Sequence, residues 1–145
     1  MSLLEAHLQD TYQYLFDVAH QGLLAANSFV PFGAGVRKTG EQIRTQLDLD
    51  WQSSTPQDHI SGLIKAFRHD DRVSGLMAAG VVADAAPGAD RLDERALLFH
   101  LEAANGRAVQ VLVHYFRRPE DGRIHFADPI ITEVPPEVFL NILPE

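Results

Sequence analysis

Cysteine is absent from this chain of 145 residues, which excludes disulfides, thiolate catalysis and zinc sites built on sulfur. Long apolar runs are missing too. Nowhere do about 18 apolar residues follow one another, so no membrane-spanning helix is expected. The N-terminal stretch MSLLEAHLQD lacks the basic start and unbroken apolar core of a secretory signal, and a cytoplasmic location fits that reading. Basic residues are scarce. Twelve Lys and Arg stand against 20 Asp and Glu, a formal charge of −8, whereas a nucleic-acid partner demands a concentrated basic field. The pairs Arg37-Lys38 and Arg117-Arg118 are too short to supply one.

What is present suits one folded domain over residues 1–145. The hydrophobic share is 46% and the charged share 22%, and a chain this long buries most of its apolar surface in a single core. Apolar residues at Leu4, Leu8, Tyr12, Leu15, Phe16, Ala19 and Leu23 follow helical spacing and predict an amphipathic helix over Leu3–Leu24. Phe29–Val36 and Ile43–Trp51 predict two strands about the turn Thr39-Gly40. Thr55-Pro56-Gln57-Asp58 is a helix start, with Ile60, Leu63, Ile64 and Phe67 facing the core and a polar turn at His69–Arg72. Val73–Ala83 then predicts a small-residue strand, and Asp84–Arg95 a surface loop.

Asn105-Gly106 is a strong hairpin signal, because both residues tolerate the positive φ of a two-residue turn. Pairing Ala104 with Arg107 would place Leu98, His100, Glu102, Val109, Val111, Val113 and Tyr115 on one face, with Leu97, Phe99, Leu101, Leu112, His114 and Phe116 on the other. A further turn at Pro119–Gly122 leads to Ile124–Ala127, and the proline-rich tail reads as extended or as a short turn around Val138-Phe139. The fold class is therefore α+β, an antiparallel sheet of about five to six strands with two main helices in the order α-β-β-α-β-β-β(-β).

That element order resembles the profilin-like and roadblock-like folds, which implies helices carried against one face of the sheet. The stretch Phe29-Val-Pro-Phe-Gly-Ala-Gly-Val-Arg-Lys-Thr-Gly-Glu41 resembles the opening strand of a family of small bacterial proteins. This second resemblance implies a bacterial origin and carries no assigned activity.

Seven histidines make metal or acid-base chemistry the first question, yet none forms a His-x-x-x-His pair on a helix. They read as dispersed, and no metal or cofactor is expected. His100 and Glu102 lie two apart on one strand face, which allows an acid-base pair or a plain structural contact. If Phe116 pairs with His125, then His114 and His125 share a face as diagonal neighbours and could meet a small ligand, with Tyr14 as a further candidate. Gly33-Ala-Gly35 lacks the rest of a phosphate loop and reads as close backbone packing. Asp90, Asp93 and Glu94 lack the calcium-loop pattern, no serine sits in a nucleophile elbow, and Trp51 reads as packing at a strand end, so no catalytic residue is assigned.

The hairpin register leaves Leu98, His100, Val109, Val111, Val113 and Tyr115 as an apolar patch that a second copy, a partner protein or the C-terminal segment would cover. The leading expectation is a non-enzymatic protein-interaction or regulatory module that forms a homodimer. A small-ligand-binding protein or enzyme with a pocket near His114 and His125 is the alternative. Size and acidity alone also allow an immunity-type inhibitor of a basic toxin.

Overall fold

The computed structural model describes residues 6–26, 29, 31–45, 56–85, 95–104, 106–118 and 120–139. Among these residues the order is α1 (Ala6–Ala26), β1 (Phe32–Arg37), β2 (Gln42–Thr45), α2 (Pro56–Ser74), β3 (Leu76–Ala85), β4 (Arg95–Ala103), β5 (Ala108–Arg117), β6 (Ile124–Phe126) and β7 (Ile130–Glu133). All seven strands pair antiparallel in the order β2-β1-β3-β4-β5-β6, with β7 also on β5. The α+β class and element order follow the sequence pattern, and β7 extends it. Strands β6 and β7 share the outer edge of β5, opposite residues 115–117 and 109–112 respectively. Pro129 lies between them and has no N–H to offer the ladder. Neither helix is long and apolar enough to cross a membrane.

The helices lie on opposite faces of the sheet, where the fold resemblance implied one. Helix α1 buries Leu8, Leu15, Ala19 and Leu23 against Phe32, Val82, Phe99, Leu101, Val111 and their neighbours. Its half-buried aromatic edge continues the packing, with Tyr12 4.8 Å from the Phe99 ring and Phe16 4.8 Å from Phe126. Arg117 of β5 donates to the Leu23 carbonyl in the last turn of α1, a site where a cation favours the helix dipole.

Helix α2 buries Ile60, Leu63, Ile64 and Phe67 on the other face, together with Ala79, Val81, Val138 and Phe139. Gly33 and Gly35 are what let it approach: a Cβ on Gly33 would stand 2.5 Å from Phe67 Cε2, and one on Gly35 3.3 Å from Phe67 Cε1. The G-x-G spacing of β1 thus serves close packing. His59, which reads from sequence as one of the dispersed histidines, is buried in this layer.

Two turns differ from the expected ones. Helix α2 runs through His69–Arg72 to Ser74, and Gly75 stops it at φ 75°. The Gly75 N–H donates to the Asp71 carbonyl at 3.0 Å, while the Asp71 carboxylate accepts from the Leu76 N–H at 3.0 Å. Gly75→Ala is expected to lose about 1–2 kcal/mol in urea unfolding, because this left-handed conformation strains any Cβ. The nearest obstacle, Lys38 Cδ at 3.0 Å, belongs to a flexible side chain, so backbone strain sets the loss.

The β4–β5 hairpin closes one residue earlier than a two-residue turn would. The Ala103 N–H donates to the Arg107 carbonyl, with Gly106 at φ 94°, giving a three-residue loop over 104–106. Leu101 therefore pairs with Val109, Phe99 with Val111 and Leu97 with Val113. This slip moves every β5 side chain to the face opposite the expected one. Burial explains the choice: Leu97, Phe99, Leu101, Val109, Val111, Val113 and Tyr115 all enter the core beneath α1.

Candidate functional site

The corrected register places Leu98, His100 and Glu102 of β4 on the α2 side, beside Gln110, Leu112, His114 and Phe116 of β5. Glu102 is fully buried and His100 is 5% exposed, with 2.5 Å between His100 Nε2 and Glu102 Oε2. The acid-base pair allowed by their spacing is thus a direct hydrogen bond. Three consecutive backbone N–H groups also donate to the same carboxylate: Glu137 at 2.8 Å, Val138 at 2.9 Å and Phe139 at 3.2 Å.

Sequence explains why those donors come together. Pro135 and Pro136 have no N–H, so Glu137, Val138 and Phe139 supply the first donors after them, and burial of Val138 and Phe139 against α2 turns all three toward β4. Burial pushes the Glu102 carboxyl pKa upward. Hydrogen bonds from His100 and from the Glu137 and Val138 backbone, together with the His100 charge, outweigh it and hold the carboxyl below its ordinary value. Glu102 is therefore a carboxylate whose lone pairs are largely occupied by the chain itself. Its main product is a clasp on the C-terminal segment.

Beside the clasp lies a cleft of about 190 Å³ between α2 and strands β4 and β5. Ile60, Ser61, Ile64, Lys65 and Arg68 form its helix wall; Leu98, His100, Gln110 and Glu137 complete it. Arg68 Nε donates to the Glu137 carbonyl at 2.8 Å. His100 Nδ1 is buried without a hydrogen-bond partner.

Farther from α2 the same sheet face is open. Leu112 pairs with Ile130 and Phe116 with His125, so these residues and His114 share one surface. Phe116 and Ile130 are each 53% exposed, and the Phe116 ring stacks on His125 at 5.1 Å. The Phe116–His125 pairing on which their shared face depends is present, and His114 and His125 line a common cleft with Arg95 and Phe116. Tyr14 does not join them: it packs on the α1 core across the sheet.

The patch expected from Leu98, His100, Val109, Val111, Val113 and Tyr115 does not form. The last four are buried under α1, whereas Leu98 and His100 lie on the α2 side. Tyr115 donates from its hydroxyl to Asp84 Oδ1 at 2.6 Å, and Arg95 pairs with the other carboxylate oxygen. Burial first, then the Asp84 hydrogen bond and charge, raises the Tyr115 pKa far above its ordinary value. Asp84 and Arg95, the two ends of the expected surface loop, are strand residues joined by an ion pair; their opposite charges are the sequence signal for it. Trp51, Asp90, Asp93 and Glu94 lie outside the described residues. Comparison with protein families, with curated proteins and with solved structures gives no match, so the two neighbouring surfaces of the α2 face are interpreted from their own chemistry.

Proposed function

We propose that this protein is a non-enzymatic interaction or regulatory module that self-associates through the open outer half of its α2-side sheet face. The observation that carries the reading is the strip of exposed Phe116 and Ile130 and partly buried Leu112, flanked by His114 and His125. Helix α2 and the buried pair Val138-Phe139 cover the inner half of this face, and both stop short of β5's outer edge.

Net charge opposes self-association over most of the surface and opposes it least at this strip. Two chains carrying −8 each repel over most approaches, and the strip contains no carboxylate, so it offers a surface on which they can meet. A two-fold contact would use the same residues on both copies, and burial of one Phe side chain contributes about 1.5–3 kcal/mol. The wild-type chain is expected to sediment as a dimer at about 10 µM. Phe116→Asp is expected to sediment as a monomer that still folds, since Phe116 is half exposed in the single chain, with a melting temperature lowered only by the lost association. A monomeric wild-type protein at that concentration would sink the reading.

The cleft shared by Arg95, His114, Phe116 and His125 favours small-ligand binding as the second reading. A monomeric wild type with a saturable ligand site lost in His114→Ala and His125→Ala would select it.

A further inference from the structure

We propose that the cleft between α2 and strands β4 and β5 is a binding site for a small oxyanion, a phosphate or short-chain carboxylate. It is separate from the self-association strip. Lys65 and Arg68 stand three apart on one face of α2, so both cationic heads border the same opening. In a chain of net charge −8, two such cations beside a partly apolar wall concentrate positive charge at this opening, offset in part by Glu137 and by the Glu102 carboxylate behind His100. Lys65 and Arg68 form no ion pair among the described residues, although Arg68 uses its Nε on the Glu137 carbonyl.

The second observation comes from the sheet. His100 is 95% or more out of solvent and lines the cleft, and its Nδ1 has no partner. Buried polar atoms without partners are rare in folded proteins and call for a ligand or a bound water. Glu102 takes the Nε2 side of the ring, which orients the imidazole and favours a proton on Nε2. Nδ1 is covered in the free chain, so it meets a ligand oxygen once the cleft wall shifts, accepting from a protonated oxygen or donating to an ionised one when the ring carries both protons. Gln110 adds an amide on the β5 side. At about 190 Å³ the space suits a phosphate or a short carboxylate and is smaller than the roughly 300–1,000 Å³ that encloses drug-sized ligands.

Two carboxylates oppose the anion, Glu102 behind the His100 ring and Glu137 on the wall. Glu137 lines the cleft with its Oε2 3.9 Å from His100 Nε2, and its half-exposed side chain is free to swing outward. The Glu137 carboxylate therefore competes with the ligand for the same positive surroundings.

The test is titration of the full chain with inorganic phosphate and, separately, sodium acetate, followed by the imidazole resonances of His100 and the amide resonances of α2. At least one anion is expected to saturate these shifts with a dissociation constant near or below about 1 mM. Phosphate alone would mark a phosphate site, and acetate alone a carboxylate site. Lys65→Gln, exposed and with no contact to the clasp, is expected to weaken binding about tenfold, as loss of one charge-assisted hydrogen bond does. Glu137→Gln is expected to tighten it several-fold. Absence of saturation by both anions at about ten times that concentration would overturn the proposal. Saturation insensitive to Lys65→Gln would overturn it equally.

Discussion

Glu102→Ala is expected to destabilise the fold by about 3–5 kcal/mol in urea unfolding, the range seen when one member of a buried ionic pair is removed. The carboxylate is fully buried and accepts from His100 and from three backbone N–H groups. Its loss leaves four donors facing a cavity, and each buried donor without an acceptor costs about 1–3 kcal/mol unless the segment moves to find water. The C-terminal segment is the part able to move, so proteolysis around residues 137–139 should accelerate in the variant. A double change, His100→Leu with Glu102→Leu, separates the contributors. Replacing an isolated buried ion pair by apolar residues is often neutral, but here the backbone donors of residues 137–139 would still lack an acceptor. The double variant is therefore expected to stay well below wild type, and wild-type stability in it would refute the clasp.

The same carboxylate predicts an acid limb. Its folded pKa lies below the ordinary 4.5, so its stabilisation is complete above that value and is lost as pH falls through the lowered folded value. Glu102→Gln has no such ionisation. The stability gap between wild type and this variant should hold from neutral pH to about pH 5 and narrow below 4.5, which unfolding measured along a pH series would show.

Phe67→Ala is expected to cost about 3–5 kcal/mol, the usual range for emptying a buried aromatic site. The ring is fully buried and stands over Gly33 and Gly35. Gly33→Ala approaches the same contact from the other side. Its new methyl would fall 2.5 Å from Cε2, 2.8 Å from Cζ and 3.0 Å from the Gly80 carbonyl, and overpacking of this kind costs about 1–3 kcal/mol. The two changes should be strongly non-additive. In a Phe67→Leu background the added methyl meets a smaller side chain, so the cost of Gly33→Ala should fall by about half or more. Equal costs in both backgrounds would mean that the Gly80 carbonyl, and not the ring, closes the site.

Much of the framework was legible because it depends on local periodicity. Leu8, Leu15, Ala19 and Leu23 on α1, and Ile60, Leu63, Ile64 and Phe67 on α2, are buried as their spacing requires. The Phe116–His125 pairing, which the sequence offered only as a condition for His114 and His125 to share a face, is present. The hairpin register was not legible. Asn105-Gly106 announces a turn, yet a two-residue and a three-residue loop fit the same letters, and one residue decides which face each β5 side chain takes.

Tertiary packing made that choice. With α1 over one face, the register that buries Val109, Val111, Val113 and Tyr115 beside Leu97, Phe99 and Leu101 removes the most apolar surface from water, and His114 and Phe116 go to the other side as a result. The clasp is non-local in the same sense: Glu102 and Val138 are 36 residues apart, and no spacing rule joins a strand carboxylate to backbone donors behind two prolines. The sequence by itself determined the elements, their order, the acidic surface and the amphipathic stripes, because each depends on neighbours within a turn or a strand. Only the tertiary structure decided which sheet face each side chain joined, that the two helices take opposite faces, and that His100, Lys65 and Arg68 border one cleft, because those outcomes depend on burial shared between distant segments.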